Sequence, residues 1–108
     1  MYQIETNPAF WAPVKVVLPG DENQLETFRA KFRVREVDDF NGYDFVTEEG
    51  LRSFLTDTIV DLDDIIGEDR KPVAFSNQLV KTLIAQPHLR GALFRAYNEA
   101  IVKAVVGN

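Results

Sequence analysis

The sequence predicts an α+β fold: a small antiparallel sheet of about three strands packed with about three helices, the last of them long and C-terminal. Three observations predict it. Residues 28–35 alternate strictly, with Phe28, Ala30, Phe32 and Val34 on one side and Arg29, Lys31, Arg33 and Arg35 on the other. That period of two belongs to a strand with one buried face. From about residue 76 onward, apolar residues recur at helical spacing instead. The chain has 108 residues, 45% of them apolar, with eight Phe, three Tyr and one Trp. This suits one hydrophobic core and is too short for two domains with separate cores. The reading is a single domain over 1–108.

The elements follow in order. After an opening segment punctuated by Pro8 and Pro13, residues 14–18 (Val-Lys-Val-Val-Leu) read as a strand, and Pro19, Gly20, Asp21 and Asn23 as turn material. The strand over 28–35 completes an antiparallel hairpin whose loop is expected to exceed the tightest types. Residues 38–42 read as a further connection. A helix fits 48–57: Thr47 caps it by accepting from backbone N–H groups that lack an intrahelical partner, and Glu48 and Glu49 sit at its positive end. Val46 and Leu51 occupy the positions of a hydrophobic staple, and Leu51, Phe54, Leu55 and Thr58 form the covered stripe. Gly50 weakens this helix by about 1 kcal/mol relative to alanine.

Residues 59–66 combine β-branched side chains with acids, which fits a third strand at an exposed edge beside the hairpin. A charged turn over 67–71 leads to Pro72 and Val73. Ser76 caps the next helix, with Phe75 and Val80 in staple positions and Leu79, Leu83 and Ile84 facing inward. Pro87 ends that helix and suits the first turn of the last one, which runs from about His88 to Val105. The last helix carries two apolar stripes. Leu89, Leu93, Ala96, Tyr97, Ala100 and Ala104 form one; Phe94, Ile101 and Val105 form another, widened by Val102 and Val106. One sheet layer covers a single stripe more readily than two. Either this helix is held centrally in its own domain, or the stripe of Phe94, Ile101 and Val105 is a candidate partner-binding surface, for another copy or a partner helix.

Charge is unevenly placed. Seventeen acids against twelve bases give a net of −5, and residues 36–69 hold twelve acids and one base. Arg29, Lys31, Arg33 and Arg35 form a second candidate interaction surface. No aromatic alternates with them on their side of the strand, and the acidic stretch downstream opposes a polyanion, so nucleic acid is disfavoured. Pairing with acids of the same fold or of a neighbouring subunit is the reading preferred.

Few features point to chemistry. The absence of cysteine removes disulfides, thiolate metal sites and cysteine nucleophiles. His88 stands alone. Asp57, Asp61, Asp63, Asp64, Glu68 and Asp69 crowd together, but an EF-hand opened by Asp61 would place Ile65 and Ile66 where a ligand and the turn glycine are required. The glycines are too scattered for a phosphate loop. The expectation is a protein that is not an enzyme, with no catalytic residues, no cofactor and no metal. No apolar run is long enough to span a membrane, and Met1–Glu5 lacks the basic start of a signal peptide. A protein made and used inside a cell is expected.

Several local phrases carry a resemblance. Val60-Asp61-Leu62 is followed by Asp69-Arg70-Lys71-Pro72-Val73-Ala74-Phe75-Ser76, a strand, acidic turn and Pro-x-x-Phe-Ser lead into a helix. Leu83 and Pro87 precede Ala92-Leu93-Phe94-Arg95-Ala96-Tyr97-Asn98-Glu99-Ala100. With Pro13 and Lys15, the Phe28-Ala30-Phe32 alternation and the final Asn108, the chain resembles the tail assembly chaperones of long-tailed bacteriophages and prophages along nearly its whole length. It departs from them at Leu62, where a tryptophan is frequent, and at Arg70, where the turn often has glycine. The resemblance implies a non-enzymatic protein of the host bacterial cytoplasm, absent from the finished virion, that coats the tape-measure protein while tail-tube subunits assemble. It also implies self-association into oligomers, and recruitment of the major tail-tube protein through a frameshifted longer form. The rival expectation is a structural head–tail or tail component retained in the virion.

Overall fold

The computed structural model describes residues 1–107; Asn108, matched above to the family's common ending, lies outside the described residues. A hairpin of β1 (Ala9–Leu18) and β2 (Asp21–Arg33) is followed by a short α1 (Val37–Asn41), α2 (Glu48–Thr58), β3 (Ile59–Asp63), α3 (Asn77–Ile84) and α4 (Pro87–Val106). The sheet is antiparallel, in the order β1-β2-β3. The expected three-stranded sheet, long final helix and edge position of β3 are all present. A fourth, five-residue helix, α1, stands where a plain connection was expected.

The hairpin is longer and tighter than the sequence suggested. β1 begins at Ala9 rather than Val14, and Leu18 pairs with Asp21 across a two-residue turn. Pro19 presets its φ, and Gly20, at φ +83°, takes the left-handed conformation that such a turn demands. Of residues 21–27, polar enough to read as loop, Asp21, Leu25, Glu26 and Thr27 are held in β2 by pairing with β1, while residues 22–24 bulge out opposite the step from Val17 to Leu18. Pro13 is tolerated because β1 is an edge strand.

One face of the sheet is the floor of the core. Ala12, Val14 and Val16 of β1 and Phe28, Ala30 and Phe32 of β2 are buried on it, and α4 packs across β1. In β3, Ile59 and Leu62 are both buried although a regular strand would send them to opposite faces. A break in register between Lys31 and Phe32, where Ala30 pairs with Leu62 and Phe32 with Ile59, places an extra β3 residue there and turns both inward.

Helices α2 and α3 start as their caps dictate. Thr47 Oγ1 accepts from Gly50 N–H at 3.1 Å, and Ser76 Oγ accepts from Leu79 N–H at 3.0 Å. Phe54, Leu55 and Thr58 are buried on α2 as expected, whereas Val46 is 96% exposed and staples nothing. On α3 the buried positions are Val80 and Ile84, with Leu79 and Leu83 half-buried beside them. Arg90 ties three helices together, donating to Glu48 at the start of α2 (3.2 Å) and to the Ile84 carbonyl at the end of α3 (3.3 Å). Arg70, where the resembled family often has glycine, sits at φ +65° in the turn after β3.

Candidate functional site

The first apolar stripe of α4 is covered only over its N-terminal half. Ala92, Leu93, Ala96 and Tyr97 are buried, Ala100 is half-buried, and every residue from Val102 to Gly107 is exposed. Tyr97 closes the covered part. Its ring meets Phe54 at 5.1 Å, Phe32 at 5.6 Å and Phe10 at 5.8 Å between centroids, and its hydroxyl accepts from Arg35 N–H at 3.1 Å. Beyond it, the second half of α4 faces the β2–α1 connection across an apolar groove of about 500 Å³. Val34, Val37 and Phe40 form one wall, and Tyr97, Ile101, Ala104 and Val105 the other. Arg35 and Asn98 are its polar side chains.

Two of the three stripe residues, Ile101 and Val105, line this groove. Phe94 does not: it stacks on Phe45 at 5.1 Å and meets Phe54 edge-on at 5.7 Å, half-buried against the core. At Phe94 the partner-binding reading of the stripe is corrected, and the reading of a helix covered by its own domain holds there. The loop between α1 and α2 supplies Phe45, which covers Phe94, and a connecting loop has no periodicity that would announce such a role.

The basic row is also divided. Arg29, Lys31 and Arg33 project from the outer face of β2, but the strand ends at Arg33, so Arg35 leaves the row. The Arg35 guanidinium instead donates to Thr58 Oγ1 at 3.1 Å and to the Asp57 carbonyl, closing the back of the groove. Arg29 bridges Asp63 at 3.2 Å, and Lys31 stands directly opposite Asp61. Pairing with acids of the same fold is thus observed at Arg29. An aromatic does share this face: Trp11 comes from β1, its ring 4.7 Å from the Arg29 guanidinium carbon. The alternation within β2 had no means of showing a neighbour supplied by register.

The acidic stretch does not converge. Asp57 accepts from the Tyr43 hydroxyl at 2.7 Å, Asp63 faces Arg29, and Asp69 accepts from Lys71 N–H at 3.0 Å within its own turn. Among the described residues no group of three or more His, Asp or Glu is placed to hold a metal ion. Burial, and the bond to the Asp57 carboxylate, raise the Tyr43 pKa above 10.0, so the phenol is a hydrogen-bond donor and not an acid–base group at neutral pH. No helix among the described residues is long and apolar enough to cross a membrane.

The groove has two apolar walls and two polar side chains, with Val37 and Val105 exposed along it. No protein-family model, curated protein or solved structure matches the chain.

Proposed function

We propose that the protein is a non-enzymatic chaperone of phage tail assembly, working in the host bacterial cytoplasm and absent from the finished virion. Its client is the tape-measure protein, and it assists recruitment of tail-tube subunits, with a frameshifted longer form as the route to the major tail-tube protein. The observation that carries this reading is the apolar groove formed by Ile101 and Val105 against Val34, Val37 and Phe40. A long helical protein that is not yet assembled exposes apolar rows at helical spacing, and a groove between α4 and the segment from Val34 to Phe40 takes such a row by helix-in-groove contact. The phrase from Ala92 to Ala100, on which the family resemblance rests, lies on the same helix. The basic outer face of the sheet takes a lesser part, since Arg29 already faces Asp63 and Lys31 is opposite Asp61.

Coexpression of the tagged chain with tape-measure, tube and connector proteins tests the reading. The expected outcome is a soluble complex with several copies per tape-measure chain, by light scattering and mass spectrometry, and no copies in purified virions. Association only with tube or connector proteins, together with copies in the particle, overturns it in favour of a retained structural component.

A further inference from the structure

The outer face of the sheet, turned away from the core, combines exposed apolar side chains with bases. Trp11 is 38%, Val17 46% and Leu25 56% exposed. Val17 and Leu25 stand opposite each other near the hairpin turn. Trp11 stands opposite Lys31, about 20 Å further along the strands. Lys15, Arg29, Lys31 and Arg33 share this face, and among the described residues only Arg29 of these has an ion-pair partner, Asp63. Asp61 is in register with Lys31, yet its carboxylate accepts from Leu62 N–H at 2.8 Å, within its own strand. The Lys31 ammonium is thus left without a carboxylate although one stands across from it.

We propose that this face docks an acidic segment of a partner protein, its carboxylates over Lys31 and Arg33 and its apolar end over Val17 and Leu25. The spacing suits that occupant. Lys31 and Arg33 are two residues apart on β2, about 7 Å along the strand, which is also the repeat of alternate carboxylates on an extended segment. Trp11 adds a broad apolar surface beside Lys31, held by the Arg29 guanidinium carbon 4.7 Å from its ring. Carboxylates settling there are partly shielded from water, which strengthens their pairing with the bases.

Charge decides the class of partner. Asp61 and Asp63 border the face along β3, and the whole chain carries a net −5. A nucleic acid repeats its charge at every nucleotide and draws its affinity from many neutralised phosphates, so that border repels it. An acidic segment of a protein needs only two carboxylates and brings apolar side chains for Val17 and Leu25. Trp11, Val17, Leu25, Lys31 and Arg33 are not among the residues that line the groove. The proposal therefore needs neither the tape-measure client nor a phage setting.

Trp11 is the one tryptophan of the chain, so its fluorescence reports occupancy of this face directly. The probe is a short synthetic peptide with glutamate at alternate positions and leucines at one end, titrated into the full chain. Trp11 emission should shift and saturate, and affinity should fall as salt screens the charges. Lys31→Glu/Arg33→Glu should weaken binding at least about tenfold, and Lys31→Gln/Arg33→Gln less, because reversal adds repulsion to the lost attraction. Val17→Ser/Leu25→Ser should weaken binding with the salt dependence unchanged. Circular dichroism checks that each variant keeps its fold, and the glutamine pair serves if the glutamate pair does not. An unresponsive Trp11 overturns the proposal. So does binding that survives loss of both bases, or an oligothymidylate of equal charge that binds more tightly than the peptide. Tape-measure solubility does not enter this readout, so the two readings fail separately.

Discussion

Arg35 and Tyr43 knot together the end of α2, the exit of β2 and the loop after α1. The guanidinium reaches Thr58 and the Asp57 carbonyl, while Tyr43 donates to the Asp57 carboxylate at 2.7 Å. Burial and that hydrogen bond hold the Tyr43 proton more tightly in the folded chain than at the ordinary tyrosine value of 10.0. A raised folded pKa means that the stabilisation is fully present below pH 10.0 and is lost as pH rises through the folded value. Urea unfolding should therefore find stability falling above pH 10.0. Tyr43→Phe should cost about 1 kcal/mol at neutral pH, the net value of one hydrogen bond, and should flatten part of that alkaline fall. An alkaline fall identical in Tyr43→Phe would assign it to other groups. None of this network was legible beforehand, since the sequence shows Arg35 only as the last base of an alternating row.

At the scale of elements, local signals set where helices begin, and neighbouring backbone decides what each position tolerates. Thr47 and Ser76 cap as their types require. Gly50 is different. Helix propensity alone makes Gly50→Ala a gain of about 1 kcal/mol. However, the loop before α2 folds back so closely that a Cβ at Gly50 would collide with the Asp44 backbone carbonyl. Gly50→Ala should therefore destabilise, by about 1–3 kcal/mol, the range for overpacking a filled site. Scanning calorimetry should show a lower Tm, and a raised Tm would mean that the loop moves aside freely. The strands teach a similar lesson. The alternation of 28–33 was readable because β2 has one covered face, whereas Asp21 and residues 25–27, in a polar stretch, became strand only through pairing with β1.

At the scale of the molecule, one core cluster runs from the sheet through α2, α3 and α4 as far as Ile101, and the residues of α4 from Val102 onward stand outside it. This separates two residues that the helical wheel groups together. Phe94→Asp places a charge among Phe45 and Phe54 and should unfold the chain or cost several kcal/mol, on the scale of the ~3–5 kcal/mol lost when a buried Phe is truncated. Val105→Asp, at a position 79% exposed, should leave stability within about 0.5 kcal/mol while weakening whatever occupies the groove. Thermal unfolding of both variants checks the pair, and equal losses would mean that the end of α4 belongs to the core.

The sequence by itself determined the fold class, the helix caps, the inward face of β2 and the edge position of β3. These rest on periodicity, on a side chain bonding its own neighbouring backbone or, for β3, on acids within a β-branched run, and such information is local. Tertiary structure alone decided that Phe45 covers Phe94, that Trp11 joins Arg29, and that Arg35 turns away from the basic row to close a groove. Those outcomes depend on which distant segments meet, through strand register and the return of a loop, and no repeat along the chain encodes them. The groove combines both kinds of information. Its α4 wall was visible as a second apolar stripe, and its opposite wall, from Val34 to Phe40, came into place only when β2 ended at Arg33 and α1 formed beside it.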